Sequence, residues 1–305
     1  MHPADLAILL HRALEVRLAR LQELLAAKNW AGDPELLHQV RVSARRLGAV
    51  LDLVDAEAYP GHKRQRRALK DLVDTLGLPR ELDVHAEHLA MLHQEARTLA
   101  QAAVLEHLLE QLERGRAKAR RAMLRRLDDL KLGELDRLLD VPTLSHPFQA
   151  TSLQEAAWAC LEPRALAALE PLAALALHED GPALHKARVR IKKLRYAVEA
   201  LESAFSELPE DLLKSLRALQ SCLGEHHDLA ILEALLSEAE MELRRRERST
   251  LCAGVFELLS EVSASRQRAF ERFQELAQDQ GPAAFARQIR PALGLPAVEG
   301  VEGAS

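Results

Sequence analysis

The chain has 305 residues, of which 48% are hydrophobic, so it can form a substantial core and is not a disordered chain. It carries 41 Lys and Arg against 46 Asp and Glu, and this formal net charge of −5 by itself argues against a polyanionic partner. Three cysteines without a C-x-x-C pair argue against a disulfide framework and favour a cytoplasmic location, and no apolar run reaches the ~18 residues of a membrane span.

All predicted elements are helices, because Leu, Ala, Glu, Arg and Gln dominate and no stretch alternates β-branched residues with period two. Gly and Pro residues mark most of the breaks between them. In chain order the helices are predicted over 3–28, 34–57, 62–76, 80–98, 100–130, 133–139, 152–178, 182–205, 209–223, 227–248, 251–279 and 282–293.

A segment with two prolines and few helix formers, 141–147, is the predicted boundary between two halves. The halves extend over 1–142 and 143–293, and the tail 294–305 is predicted to be disordered. A shift of 147 residues places 38–84 on 185–231 without a gap.

The aligned segments share chemically distinctive residues as well as leucines. His38 coincides with His185, and each copy contains an L-x-x-L-x-x-x-L-G segment that ends at Gly77 or Gly224. Chance similarity between two amphipathic helices would explain the leucines but not the shared histidine and basic residues. The sequence therefore predicts an internal duplication, with a helix end at each Leu-Gly pair.

The charges are segregated along the chain. Four segments contain 21 of the 41 basic residues and none of the 46 acidic residues, so the other 20 basic residues share the remainder with all the acidic ones. Like charges concentrated in this way repel each other unless an anion neutralises them. These segments are 38–46, 62–70, 114–126 and 185–195.

Helix geometry places the basic motif residues on one side of each helix, because residues three and four apart share a face. In the first copy these are His38, Arg41 and Arg45, opposite an apolar face that is predicted to be core. A solvated face is the ordinary alternative, but it mixes both signs of charge to gain i,i+4 pairs. Each of the two copies has such a face without carboxylates, and this repetition favours anion binding.

Three further arginines continue the apolar stripes of their helices, namely Arg116, Arg120 and Arg266. A charge in such a position must be paired or must line a wet cavity, unless its long stem reaches past the edge of the core. We include these three as secondary candidates for the basic cavity.

The pattern indicates which anion is expected. Arg provides a planar fork for phosphate oxygens, Lys a mobile charge, and His a group that gains charge near pH ~6.5. Single-strand nucleic-acid binders usually add aromatic stacking platforms, whereas the basic segments are followed by a single aromatic residue, Tyr196. The pattern therefore favours a phosphate polymer without bases.

The paired motifs H-x-x-R-x-x-x-R-R-L, from His38 to Leu47, and H-x-x-R-x-x-x-K-K-L, from His185 to Leu194, resemble the CHAD domain, the conserved histidine α-helical domain. The resemblance covers about residues 5–280. It implies an all-α fold of two antiparallel four-helix bundles that are related by a pseudo-twofold axis, with a basic central groove or pore. It also implies binding of inorganic polyphosphate and a location on polyphosphate granules.

The resemblance implies that specific side chains bind polyphosphate. The residues that match the motif are His38, Arg41, Arg45, Arg46, His185, Arg188, Lys192 and Lys193, and the secondary ones are Arg67, Lys70, Arg80, Lys214 and Arg217. In the second copy His227 stands where the repeat would place a partner of Arg80, and Ala230 stands opposite Asp83. Because of these two differences, the turn in the second copy is a weaker candidate for a binding site than the turn in the first.

The sequence favours simple binding over catalysis. The sequence contains no P-loop, no metal-binding carboxylate pair and no activated nucleophile, so we expect no catalytic residue, no cofactor and no metal. The E-x-x-H unit at Glu35 lacks the second unit of di-iron bundles, and Glu81, His85 and His88 form only a lone cluster. A phosphate-processing enzyme that uses the same cavity, and less readily a nucleic-acid binder, remain the alternatives.

Overall fold

The computed structural model describes residues 4–54, 61–136, 152–207 and 209–296, and within these ranges every regular element is a helix. The predicted boundary 141–147 and the tail after residue 296 lie outside the described residues. The helices are α1 (Ala4–Ala26), α2 (Pro34–Leu51), α3 (His62–Thr75), α4 (Gly77–Gln94), α5 (Leu99–Asp128), α6 (Gly133–Asp136), α7 (Leu153–Leu169), α8 (Leu172–Leu177), α9 (Gly181–Ala200), a 3-10 turn (Glu202–Ala204), α10 (Glu210–Arg245), α11 (Ser249–Gln278) and α12 (Pro282–Ala292).

The two helices that carry the repeated motif, α2 and α9, begin in the same way. Asp33 accepts hydrogen bonds from the backbone N–H groups of Glu35 and Leu36, and Asp180 accepts one from Ala183. Each cap satisfies amides that have no partner within the helix, and a proline in the first turn has the backbone angle that the helix needs. Asp33 and Asp180 are also 147 residues apart, so the repeat extends to the caps.

The hydrophobic interior is divided into two cores. The first contains α1, α2, α3, α7, α9, the first half of α10, the end of α11 and α12, with residues such as Leu47, Ile191 and Phe273 fully buried. The second contains α4, α5, the end of α10 and the start of α11. Each core thus combines helices from both sides of residue 142, and the division into 1–142 and 143–293 stays a prediction about the repeat.

Several helix boundaries differ from those predicted, and Gly224 is the first example. The two helices predicted over 209–223 and 227–248 form one continuous helix, α10, so the predicted stop at Gly224 is wrong. In the first copy a break does occur, at Leu76, between α3 and α4. The difference lies two residues after the glycine, where Pro79 in the first copy corresponds to His226 in the second. Proline has no N–H to continue the helical ladder, whereas histidine does.

A second proline explains another of these differences. The helix predicted over 152–178 is two helices, α7 and α8, separated at Pro171. Proline leaves the carbonyl of the residue four positions earlier, Ala167, without its helical donor. The Nη1 group of Arg190 donates to that oxygen at 3.1 Å, so a side chain from α9 satisfies the group that the break exposes.

Candidate anion-binding site

The helices α2 and α9 contact each other, and their apolar sides belong to the first core. Their polar sides bring four cations together, because the charge of Arg188 acts on Arg45, and the charges of Arg41, Arg45 and Arg188 all act on Lys192. We call Arg41, Arg45, Arg188 and Lys192 the cationic cluster. In the described part of the chain none of the four forms an ion pair with a carboxylate.

Two glycines allow the arginines of the cluster to lie close to the neighbouring helices. A Cβ atom at residue 224 would lie 3.3 Å from Arg188 Nε, and one at residue 77 would lie 3.9 Å from Arg41 Nη1. The Nη1 group of Arg41 also donates to the carbonyl oxygen of Gly77 at 2.9 Å. The two contacts are related by the repeat, and the closer one shows that Gly224 provides space for Arg188 within a continuous helix.

Burial and mutual repulsion both act against the charges of the cluster. Burial, followed by the charges of Arg45, Arg188, Arg41 and Arg195, lowers the pKa of Lys192 to about 7. Burial, followed by the charge of Arg45, lowers the pKa of Arg41 to about 10, and burial also lowers the pKa of Arg45. The Nε group of Arg41 is buried without a hydrogen-bond partner among the described residues.

The two motif histidines face equivalent positions on the next helices. His38 lies near enough to Arg80 for that charge to lower its pKa, after the larger effect of burial. The ring of His185 lies 4.3 Å from the ring of His227, centroid to centroid, and the pKa values of both are lowered, mainly by burial. His227 therefore belongs to the site. It was a weaker candidate from the sequence, because the equivalent residue in the first copy is an arginine, Arg80. The repeat itself was the signal, since 80 and 227 are equivalent.

A groove of about 920 Å³ lies between α2, α3 and α9. We call it the first groove. It contains five of the predicted binding residues together with three further basic side chains of α3, which lie in the predicted basic segment 62–70 but were not named as binding residues. The predicted ones are Arg45, Arg67, Lys70, Lys192 and Lys193, and the additional ones are His62, Lys63 and Arg66.

The carboxylates along the first groove are already paired with α3. Asp52 accepts from Arg66 at 2.5 Å, and Asp74 accepts from Lys70 at 2.6 Å. The cations of α2 and α9 in the groove have no such partner in the described ranges.

The predicted arginines on apolar stripes are paired rather than free. Asp83, with 1% of its side chain exposed, accepts from Arg116 Nε at 2.8 Å and from Arg120 Nη2 at 3.3 Å. Arg266 pairs with Glu179 and with Glu233, the latter at 2.8 Å. These three arginines hold helices together, and the structure does not bring them into the cationic cluster.

The remaining secondary residues lie at the edge of the site or away from it. Arg80 pairs with Glu87 at 2.8 Å but still acts on His38. Arg67 is exposed and lies 3.8 Å from Asp71. On α10, Lys214 pairs with Asp211 at 3.0 Å, and Arg217 is exposed.

Among the residues that the structure describes, no three or more His, Cys, Asp or Glu side chains form a group suited to a metal ion. The positions of His85 and His88 therefore give no support for a metal site. Within the same residues, no helix combines the length and apolar character required to cross a bilayer.

The family follows from a sequence model and agrees with the fold. The model of the CHAD domain matches residues 12–237, and this chain therefore belongs to the CHAD family. The fold resembles PptA from Streptomyces chartreusis, with a TM-score of 0.65 and 22% identity, over 88% of this chain and 98% of that one. It also resembles the crystal structure of the CHAD domain from the plant Ricinus communis, with a TM-score of 0.60 and 24% identity, over 96% and 93% of the two chains. A comparison with curated protein sequences finds no match.

Proposed function

We propose that this protein binds inorganic polyphosphate without catalysing its turnover, and that the cationic cluster and the first groove hold the polymer. The observation that supports this most is the meeting of four part-buried cations from two helices without a carboxylate partner in the described chain. A polyanion would supply the missing negative charge and would accept hydrogen bonds from groups such as Arg41 Nε.

The shape and composition of the site favour phosphate over nucleic acid. Among the residues that the structure describes, Tyr196 is the one Phe, Trp or Tyr side chain that lines the first groove, and this ring is 7% exposed, so it offers little surface on which a base could stack. The family association with polyphosphate agrees with this choice and suggests a location on polyphosphate granules.

The double variant Arg45→Gln/Lys192→Gln tests the site. We expect its affinity for long-chain polyphosphate to fall about 100-fold, because two part-buried charge contacts are lost. The matched control, Arg244→Gln/Arg246→Gln, removes two exposed charges at the end of α10 and should change the affinity little. Filter binding or calorimetry at fixed salt measures both. If the two variants lose affinity equally, the polymer is held by overall charge and not by this cluster.

Turnover separates binding from enzymatic processing. The protein is incubated with polyphosphate and Mg²⁺ or Mn²⁺, and released phosphate and chain length are followed by colorimetry and gel electrophoresis. We expect no change beyond the buffer control. Sustained metal-dependent release that disappears in the double variant would establish the enzymatic alternative instead.

A further inference from the structure

A second groove lies on the opposite flank of α2, against α1. Its volume is about 710 Å³. Four basic side chains line it, two from each helix, and only the two from α2 are among the polyphosphate-binding residues predicted from the sequence. They are Arg17 and Arg20 of α1, and His38 and Arg46 of α2.

The repeat relates this second groove to the first. Val42, Arg46 and Glu199 line the second groove, and the residues equivalent to them after the 147-residue shift all line the first. These equivalents are Val189, Lys193 and Asp52. The internal duplication has therefore produced one groove on each flank of the α2–α9 contact, closed by α3 on one side and by α1 on the other.

Arg46 and Tyr196 connect the two grooves. The guanidinium of Arg46, which lines the second groove, lies 5.8 Å from the ring centroid of Tyr196, which lines the first. Arg46 also acts on Arg17, lowering its pKa, although burial is the larger cause. Arg46 thus lies between Tyr196 of the first groove and Arg17 of α1.

The second groove also contains two carboxylates. Glu199 already pairs with Arg195 at 2.5 Å, and Glu202 is exposed after the end of α9. Arg20 pairs with Glu23 of its own helix at 2.6 Å, and about half of the Arg20 side chain is exposed. A phosphate can therefore replace Glu23 as the partner of Arg20 with little loss of free energy. Arg17 and Arg46 form no ion pair within the described residues, although Arg17 donates hydrogen bonds to the backbone carbonyls of Ala13 and Glu199. Their two positive charges therefore have no carboxylate partner there.

We propose that the second groove is an additional phosphate-binding subsite, which engages a linear polyphosphate after the chain has crossed the α2–α9 contact at Arg46. This inference rests on the proposed function and extends it to chain length. A long chain occupies both grooves, whereas a short one, such as tripolyphosphate, fills the cationic cluster alone.

The double variant Arg17→Gln/Arg20→Gln tests the subsite. We expect its affinity for long-chain polyphosphate to fall about tenfold, while its affinity for tripolyphosphate stays unchanged. The slope of log affinity against log salt should become shallower by about 1.4, the value for two fewer contacts to a single-stranded polyanion. The matched control, Arg244→Gln/Arg246→Gln, removes two exposed charges at the end of α10.

The outcomes distinguish the subsite from the primary site. If wild-type protein does not bind long polyphosphate at all, the proposed function fails. If it binds, but Arg17→Gln/Arg20→Gln binds equally well or loses tripolyphosphate to the same degree, the subsite is refuted. Should the double variant melt at a lower temperature, Arg20→Gln alone decides the question, because its exposed side chain contributes little to folding. An unchanged ratio of long-chain to tripolyphosphate affinity in that variant also refutes the subsite.

Discussion

Lys192 is the side chain on which the charges of both motif helices converge. Arg41 and Arg45 act on it from α2, and Arg188 and Arg195 act on it from its own helix. Together with burial they bring its pKa to about 7, so near neutral pH the site holds a lysine that is protonated only in part. A bound polyanion favours the protonated form, which links occupancy of the site to uptake of a proton.

The same environment predicts how stability depends on pH. The folded pKa of Lys192, about 7, lies below the ordinary value of 10.5, so between these values the unfolded chain holds more protons. Below pH 7 the buried charge of Lys192 lowers the free energy of unfolding by its full amount. As the pH rises from 7 towards 10.5 this destabilisation is lost, so the free energy of unfolding increases. We expect Lys192→Met to raise the free energy of unfolding at neutral pH by about 1–2 kcal/mol.

Urea denaturation at several pH values measures this effect. Lys193→Met is the matched control, because the neighbouring lysine is exposed and should leave both the stability and its pH dependence unchanged. A Lys192→Met protein that is less stable than wild type at neutral pH would contradict the repulsion that we assign to the cluster.

At the scale of helices, periodicity and composition were sufficient to place almost every element. They failed at Gly224, because a Leu-Gly pair has the same appearance whether the glycine ends a helix or makes room for a side chain. The contact that distinguishes the two cases comes from Arg188, which is distant in sequence. Pro79 was the local signal for the real break in the first copy, and His226 at the equivalent position was the signal for continuity.

This interpretation predicts different effects for the same substitution at the two glycines. In Gly224→Ala the new methyl group would lie 3.3 Å from Arg188 Nε and displace the guanidinium, so polyphosphate affinity should fall several-fold. The stability of α10 should change by no more than about 1 kcal/mol, because alanine favours the helix. In Gly77→Ala the corresponding distance is 3.9 Å, and affinity should be unchanged. Calorimetric titration of both variants checks this; equal affinities would show that the glycines do not position the arginines.

Asp83 connects three elements, because Arg116 and Arg120 of α5 reach it on α4 and Arg120 also donates to the carbonyl of Gly32, before α2. We expect Asp83→Asn to lower the free energy of unfolding by about 3 kcal/mol, since it leaves two cations without their buried counter-charge. Glu113→Gln is the control, because this exposed partner of Arg116 should contribute less than about 1 kcal/mol. Denaturant titrations that give equal losses for the two variants would contradict this role.

At the scale of the whole molecule, the charge distribution explains both what the sequence could predict and what it could not. Segments without acidic residues identified the basic motif of α2 and α9, because clustering along a chain is visible without a fold. Pairing across helices is not visible in this way. Arg116 and Arg266 have the sequence pattern expected of a basic cavity, but Asp83, Glu179 and Glu233 lie beside them in the fold. The second groove was equally hidden, since α1 meets α2 only through folding.

The repulsion that remains in the cationic cluster should make the whole protein more stable when polyphosphate binds. A ligand that binds only the folded state at 100 times its dissociation constant stabilises it by about 2.7 kcal/mol. Above pH 7 Lys192 must take up a proton to bind, so the apparent affinity should fall by up to tenfold for each pH unit. Below the ordinary histidine value of 6.5, protonation of His38, His185 and His227 should tighten binding further.

We therefore expect long-chain polyphosphate at a fixed concentration to raise the melting temperature more at about pH 6 than at about pH 8.5, with a difference of about 2 kcal/mol in binding free energy. Differential scanning fluorimetry at constant ionic strength measures the two shifts. In Lys192→Met the difference between them should shrink, because the group that takes up the proton above pH 7 is gone. A rise that is equal at both pH values in the wild-type protein would show that the bound polymer does not contact Lys192 or the histidines.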